Sequence, residues 1–343
     1  MPLAVWPLRH WLRRCAVHSR PGPRGLPVAG RAVSSITHVS CLDEFDVDFR
    51  TQLGVGAMGA VYPAQHRRTS ENVAIKTVSP SIGGSTSVNS KPSEIADGIR
   101  HECEAFRRIL DAGNHPFVVD LVGCFEGSTA EASERGLDMA GTSATVSDHE
   151  PIHYFVMERL GSVSLQDHIE ERKGLTEEQA KRFSRAMCEG LAFLHANGIV
   201  HRDVKPSNAL FSCQASCPSE LKLIDFSHAG VGNVGEEPQL SFLLGTAGYA
   251  APEVLGQGMY NERCDVYSFG CTVHAMLSNM RLPRRHPRAG IVMCLPDSVS
   301  SECREFVGEL LAYHPEERPS FEEILRHPWL QGVDLQSSCG VQE

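Results

Sequence analysis

A glycine-rich run between two short apolar stretches has the spacing of a phosphate-binding hairpin. Its sequence is Leu53-Gly54-Val55-Gly56-Ala57-Met58-Gly59-Ala60-Val61. The three glycines lack the Cβ atoms that would keep the backbone away from a triphosphate. The same spacing occurs in plain hairpin turns and, between a strand and a helix, in dinucleotide-binding folds. Because Val61 and Tyr62 continue into a strand, the sequence favours a flap over phosphates.

A lysine ends the next apolar strand, Val73-Ala74-Ile75-Lys76. Its neighbours are expected to face a core, so its ammonium group needs an anionic partner. A lone lysine at the end of a strand is usually solvated. A functional role for Lys76 is therefore indicated only together with the motifs that follow it.

Two later segments carry most of the chemistry: His201-Arg202-Asp203-Val204-Lys205-Pro206-Ser207-Asn208 and Leu221-Lys222-Leu223-Ile224-Asp225-Phe226. Together with the glycine run, the strand lysine and Gly245-Thr246-Ala247-Gly248-Tyr249-Ala250-Ala251-Pro252-Glu253, they resemble the eukaryotic protein kinase family. The resemblance covers residues 45–330, and the motifs follow the order found in the family. The pair of Lys205 and Thr246 resembles the serine/threonine type.

The resemblance implies a role for four polar residues of these segments. Asp203 would accept the proton of the substrate hydroxyl, and Lys205 would neutralise the phosphoryl group in transfer. Asn208 and Asp225 would hold the Mg2+ ions that bridge the phosphates. Physically, a triphosphate concentrates about four negative charges, which bound cations and lysines must offset before a hydroxyl can approach.

By the same resemblance Lys76 would pair with a glutamate of the first long helix. Glu102 is preferred because Phe106 and Ile109 then stand at +4 and +7 as packing residues behind it. Glu104 stays open as an alternative.

The adenine ring of ATP would lie at the hinge strand Val156-Met157-Glu158-Arg159-Leu160. The predicted nucleotide contacts are Leu53, Gly54, Val55, Gly56, Ala57, Met58, Gly59, Val61, Ala74, Lys76, Met157, Glu158, Leu160 and Leu210.

The resemblance also implies scaffold contacts. Glu253 would pair with Arg318, and Asp265 would hold the backbone of the catalytic loop from a buried helix. Arg202 implies a basic pocket that an activation-loop phosphate, or an acid such as Glu236 or Glu237, would fill.

Two segments depart from the family pattern. Ser227 replaces the glycine that usually follows Asp225-Phe226, and residues 278–297 are short, basic and proline-rich where the family usually has a substrate-docking helix. Kinases of this family that prefer basic substrates often have glutamate at the position of Ser207. The serine therefore gives no support for a preference for arginine in the substrate. We expect a protein serine/threonine kinase that uses Mg-ATP. The alternatives are a pseudokinase that binds nucleotide or a protein partner, and a small-molecule phosphotransferase.

The elements that position these residues change along the chain. Short strands come first and helices follow, which predicts an α+β, two-lobed fold: an N-lobe at 45–157 with one main helix, a hinge at 158–161 and a mostly helical C-lobe at 162–330. Capping boxes predict helices after Thr176, with Gly198 as the stop, and after Ser320, ending near Leu330. Residues 79–93 and 127–150 show no periodicity and are interpreted as mobile surface insertions. Residues 331–343 form a tail.

Composition limits the classes further. The chain has 343 residues, 41% of them hydrophobic, and a net charge of −10, which argues against a nucleic-acid-tracking surface. No apolar run is long enough to span a membrane. Residues 1–42 hold six arginines and no acid, which is typical of a transit peptide or of an untargeted tail. We expect an intracellular protein, cytoplasmic or, if the leader targets it, in a mitochondrion or plastid.

Overall fold

The computed structural model describes residues 41–56, 59–79, 92–137, 151–212, 220–232, 246, 248–256, 261–286 and 290–335. Ala57 and Met58 lie outside these residues, as do most of the predicted leader and tail. Leu42, the last residue of the predicted leader, is only 2% exposed and belongs to the core.

The first part of the chain contains the longest of the described strands. In order, its elements are α1 (Cys41–Glu44), β1 (Phe45–Val47), β2 (Gly54–Gly56), β3 (Gly59–His66), β4 (Asn72–Val78), α2 (Pro92–Ala112), β5 (Leu121–Ser128), α3 (Thr129–Glu134) and β6 (Pro151–Glu158).

Helices dominate the second part. Its elements are α4 (Leu165–Arg172), α5 (Glu177–Ala196), β7 (Ile199–Val200), β8 (Ala209–Phe211), β9 (Leu221–Leu223), β10 (Gly230–Val231), α6 (Pro252–Leu255), α7 (Arg263–Leu277), β11 (Arg284–His286), β12 (Gly290–Val292), α8 (Ser301–Leu310) and α9 (Phe321–Ile324). Single 3₁₀ turns span Pro206–Asn208, Pro315–Glu317 and Pro328–Leu330. Among the helices in the described parts of the chain, none is long and apolar enough to cross a membrane.

The chain divides into two compact units, residues 1–92 with 121–159, and residues 93–120 with 160–343. Helix α2 therefore groups with the second unit, although its sequence position lies within the predicted N-lobe. The strands-then-helices pattern of the α+β prediction is confirmed.

An antiparallel sheet organises the first unit. Its strands run in the order β1-β3-β4-β6-β5, and β2 pairs with β3. Because side chains alternate between the two faces of a sheet, one residue in two along β3, β4 and β6 enters a single core. That core includes Tyr62, Ile75, Tyr154 and Val156, all less than 5% exposed. The alternate residues of the same strands lie on the opposite face of the sheet.

The prediction of a surface insertion at 127–150 is wrong for residues 127–137. Strand β5 runs on to Ser128, whose hydroxyl accepts the Glu131 N–H and caps α3. Ala132 and Leu137 are buried in the core of the first unit. Six helical residues are too few to show a periodicity, so no helix was predictable there. Residues 138–150 and 80–91 lie outside the described residues.

Both predicted capping boxes are present. Thr176 and Gln179 cap α5, and the apolar face of this helix, which includes Phe183, Met187 and Leu191, is buried. Gly198 has φ 66°, which suits a residue that ends a helix. Ser320 and Glu323 cap α9, but the expectation that this helix continues to Leu330 is wrong. It ends at Ile324, because Pro328 holds the preceding residue in an extended conformation and has no N–H to donate.

Candidate active site

A buried aspartate holds the loop that follows β7. Asp265 on α7 is fully buried, and its two oxygens accept the backbone N–H groups of His201 and Arg202 at 2.8 Å each. His195 adds a third contact at 2.8 Å. Burial raises the pKa of Asp265, but the hydrogen bond and charge of His195 outweigh it, so the pKa lies below its usual value. The predicted scaffold role of Asp265 is confirmed.

Three side chains donate hydrogen bonds to the carboxylate of Asp203. The Lys205 ammonium donates to Oδ2 at 2.7 Å, and Nδ2 of Asn208 donates to the same oxygen at 2.9 Å. The Thr246 hydroxyl donates to Oδ1 at 2.8 Å and accepts from Lys205 at 2.6 Å. The structure thus brings three of the predicted residues and Thr246 into one network inside the second unit.

This network sets the ionisation of Asp203. Burial raises the pKa of its carboxyl group, while the hydrogen bond and charge of Lys205 and the hydroxyl of Thr246 lower it by more. The pKa of Asp203 therefore lies below the usual value of 3.8. Its carboxylate is ionised at neutral pH, ready to accept a hydrogen bond.

Asn208 and Asp225 have the chemistry of a magnesium pair. Ile224 N–H donates to the backbone oxygen of Asn208 at 3.0 Å, which places Asp225 beside Asn208 in the chain fold. The Asn208 amide N–H groups are used by Asp203, so its side-chain oxygen is the group left to ligate a cation. One amide oxygen and one carboxylate suit Mg2+, which keeps waters and phosphates as its other ligands. Among the described residues, no cluster of three or more His, Cys, Asp or Glu could hold a metal ion.

Ser227 fits its position without backbone strain. It is not among the non-glycine residues with positive φ, whereas Asp225 is, with φ 63°. The Ser227 N–H donates to Oδ1 of Asp225 at 3.3 Å. In this conformation the replacement of glycine by serine costs nothing at φ, and the carboxylate of Asp225 keeps a local hydrogen bond.

Sequence reasoning missed His228. Its Nδ1 lies 3.9 Å from Oδ2 of Asp203. Burial lowers the pKa of His228, although the carboxylates of Asp203 and Asp225 oppose this shift. A titratable residue directly after the motif predicted to hold a cation was the available signal in the sequence.

The expected phosphate pocket at Arg202 has a different use in the structure. The guanidinium of Arg202 is 8% exposed and donates to the backbone oxygens of His228 and Ala229, the latter at 2.8 Å. Its charge thereby fixes the backbone after Asp225. Glu236 and Glu237 lie outside the described residues, so the predicted role of an acid or phosphate there stays a prediction.

The two candidate glutamates on helix α2 differ in their surroundings. Glu102 is fully buried. Glu104 instead accepts from Arg107 at 2.6 Å and from Arg108 at 3.0 Å, and the hydrogen bond of Arg107 helps to lower its pKa to about 2. Because Glu104 is already neutralised by two arginines, Glu102 is the better partner for Lys76. That pairing stays a prediction.

The first unit places four predicted residues on one face of its sheet. Val61 of β3 stands opposite Lys76 of β4, and Ala74 of β4 stands opposite Met157 of β6. Directly opposed residues of an antiparallel pair share a face, and Ala74 and Lys76 share one because they are two residues apart. This is the face turned away from the core of the first unit.

The glycine run forms the expected hairpin in its described part. Gly54, Val55 and Gly56 of β2 pair with Val61, Ala60 and Gly59 of β3. A Cβ at Gly59 would lie 1.8 Å from the backbone oxygen of Thr77, so only glycine fits there. Leu53 and Val55 are 45% and 72% exposed.

The remaining predicted nucleotide contacts lie near the end of β6 and in the second unit. Glu158 ends β6, and Leu160 and Leu210 belong to the second unit. The Gly161 N–H donates to the Phe211 oxygen at 2.8 Å, which brings the residue after Leu160 to β8, where Leu210 lies.

The predicted pair of Glu253 and Arg318 is confirmed. Arg318 is 1% exposed and makes two hydrogen bonds to the carboxylate, at 2.7 and 2.8 Å. It also donates to three backbone oxygens, so its charge is fully satisfied. This bidentate pair ties α6 to the segment before α9.

This combination of fold and site is that of a protein kinase. The sequence model of the protein kinase domain matches residues 47–330, and the chain belongs to this family. Two curated relatives are the serine/threonine-protein kinase H1 homolog of Danio rerio and serine/threonine-protein kinase H1 of Mus musculus. Both are 28% identical to this chain, the first over 302 residues and the second over 303, and each alignment covers 85% of this chain. The alignments span 63% and 62% of those two relatives, so this chain covers less than two thirds of their length.

Proposed function

We propose that this protein transfers the γ-phosphoryl group of ATP to serine or threonine hydroxyls of protein substrates. The observation that carries the proposal is the network at Asp203, in which one lysine, one amide and one hydroxyl hold an ionised carboxylate. Membership of the family, whose members generally use ATP and Mg2+, and the names of its relatives support it.

The residues of the network divide the work. A carboxylate offers about four acceptor sites, and the three described side chains that bind Asp203 leave room for the acceptor hydroxyl. Asp203 would orient that hydroxyl and take its proton as the oxygen attacks the γ-phosphorus. Lys205 would face the charge that develops on the transferred group. Asn208 and Asp225 would hold Mg2+, which when bound offsets the charge of the phosphates.

The test is phosphate transfer from radiolabelled ATP with Mg2+ to a generic protein substrate, with the full chain. We expect Asp203→Asn and Asp225→Asn each to lower the rate by about a hundredfold or more, as befits the loss of an acid-base or metal-binding group. The control is Asp297→Asn, an exposed aspartate outside the site, which should keep full activity.

Thermal stabilisation by Mg-ATP, measured on the same proteins, separates the two main alternatives. A wild-type chain that ATP stabilises but that transfers no label above the Asp203→Asn variant would be a nucleotide-binding pseudokinase. Transfer to free serine or to a metabolite, but not to proteins, would identify a small-molecule phosphotransferase. Label on serine or threonine of the protein supports the proposal.

A further inference from the structure

An acid-free stretch runs from α7 to the approach of α8. No Asp or Glu occurs between Asp265 and Asp297, although the chain has 42 acids. Four arginines and one histidine are concentrated in residues 281–288 of this stretch. Strands β11 and β12 pair antiparallel here, with Arg284 opposite Val292. We call residues 281–286 and 290–292 the basic hairpin.

The basic hairpin presents unpaired positive charge. Arg281 and Arg284 are exposed, and neither has an acidic partner in the part of the chain that the structure describes. Two exposed arginines elsewhere do have one: Arg107 binds Glu104 at 2.6 Å, and Arg135 binds Asp43 at 2.7 Å. Val292, opposite Arg284, is 39% exposed. This surface therefore combines free guanidinium groups with an apolar contact.

A buried histidine fixes the base of the hairpin. Nδ1 of His274, on α7, lies 2.9 Å from the backbone oxygen of Arg281, and Nε2 accepts the N–H of Cys294 at 2.9 Å. One ring thus ties both ends of the segment that carries the hairpin. Only the neutral imidazole can donate at one nitrogen and accept at the other. Burial lowers the pKa of His274, which favours that neutral form.

The hairpin base also adjoins the segment that reaches the catalytic carboxylate. A Cβ at Gly248 would lie 2.6 Å from Cδ1 of Leu282, so the leucine packs directly against this glycine. Two residues before Gly248, Thr246 donates to Asp203. A peptide whose hydroxyl reaches Asp203 therefore has the basic hairpin as a neighbour.

We infer that the basic hairpin docks an acidic segment of the protein substrate next to its phosphorylated residue. The inference rests on the proposed function and names the substrate class of the same site. Arginine side chains bind carboxylates through paired hydrogen bonds. Because the chain as a whole is negative, an acidic partner is repelled elsewhere and gains contacts at this surface.

Binding is tested apart from catalysis, with the full-length Asp203→Asn protein. The probes are fluorescein-labelled peptides with one serine and four glutamates before or after it, and matched peptides with glutamine in place of glutamate. We expect Arg281→Gln/Arg284→Gln to weaken binding of an acidic peptide about three- to tenfold, as expected for two exposed ion pairs. The control, Arg68→Gln/Arg172→Gln, removes the same charge from exposed sites elsewhere and should change binding less than twofold.

Three outcomes overturn the inference. In the first, the control variant weakens binding of the acidic peptide as much as the hairpin variant does, which shows a general charge effect. In the second, the glutamine peptides bind as well as the glutamate peptides. In the third, the hairpin variant loses binding of an RNA oligonucleotide or of phosphatidylserine vesicles while peptide binding is unchanged, which assigns the surface to another anion.

Kinetics of the otherwise wild-type chain complete the test. The hairpin variant should raise KM for the acidic peptide about three- to tenfold with kcat unchanged, and the difference should vanish at high salt because salt screens exposed charges. A fall in kcat with KM unchanged contradicts docking. If no peptide and no protein is phosphorylated, the proposed function fails. Binding of the fluorescein-labelled peptides, measured by fluorescence anisotropy, still decides whether the basic hairpin is the docking surface.

Discussion

At the scale of single residues, the hydroxyl of Thr246 has an unusual position between a cation and an anion. It accepts from the Lys205 ammonium at 2.6 Å and donates to Oδ1 of Asp203 at 2.8 Å. The hydroxyl thereby fixes the orientation of the carboxylate that would receive the substrate proton. Its role is one of positioning, because the transferred group would contact Asp203 and Lys205 rather than Thr246.

We predict that Thr246→Val, which keeps the shape and removes the hydroxyl, lowers kcat about ten- to a hundredfold. A hydrogen bond to a charged group contributes about 1.5–3 kcal/mol, and about 1.4 kcal/mol corresponds to a factor of ten in rate. Thr246→Ser restores the hydroxyl and should recover most of kcat. If serine is as slow as valine, the methyl group and not the hydroxyl is what matters at this position.

Single residues also show what sequence can and cannot predict about a site. The polar residues Asp203, Lys205, Asn208 and Asp225 were predictable because each lies in a motif of fixed spacing. The contact of His228 with Asp203 was not, because it depends on how the backbone turns after Asp225. The use of Arg202 to bind two backbone oxygens depends on the same turn.

At the scale of elements, Arg108 explains why α2 groups with the second unit. Its Nη1 donates to the backbone oxygens of Asn197 and Gly198, at 3.2 and 3.3 Å, and to that of Gly232. These oxygens lie at the turn before β7 and directly after β10. One side chain thus ties the helix to the two segments that flank the β7–β10 pair.

We predict that Arg108→Met lowers the free energy of unfolding by about 1.5–3 kcal/mol, because methionine keeps the apolar stem but leaves partly buried backbone oxygens without their charged donor. The matched control is the neighbour Arg107→Met. Arg107 binds Glu104 and Asp111 with 44% of its side chain exposed, so its loss should cost less than about 1 kcal/mol. Urea denaturation of both variants measures the difference. Equal losses would show that Arg108 does not anchor the helix.

Elements differ in how well the sequence predicts them. The capping boxes at Thr176 and Ser320 are local, so both helix starts were predictable. The hairpin of β11 and β12 was not, since nothing in residues 278–297 alternates strictly between polar and apolar. Its position depends instead on His274, which lies on a different element and contacts both ends of the segment.

At the scale of the whole molecule, burial of histidines couples stability to pH. Burial lowers the pKa of five histidines from the usual value of 6.5: His115, His153, His168, His228 and His274. The unfolded chain binds protons at these rings at a higher pH than the folded chain does. Their contribution to stability is therefore complete above about pH 6.5 and is lost as the pH falls towards the lower folded-state pKa values.

We predict that the free energy of unfolding is nearly constant from pH 8 to 7 and falls between pH 6.5 and 5.5, where exposed carboxylates are still ionised. Each of these rings adds to this loss, because it takes up a proton more readily in the unfolded chain than in the folded one. Denaturation by urea at each pH measures the free energy of unfolding.

His168 packs against Phe183 and Phe211 with 5.5 Å between ring centres. The variant His168→Phe therefore keeps the ring packing and should reduce the slope of the unfolding free energy with pH, whatever its effect on absolute stability. The control His314→Gln changes an exposed ring and should leave the slope unchanged. A stability that stays flat down to pH 5.5 would mean that the folded protein takes up protons at these rings without opening, contrary to the effect expected from their burial.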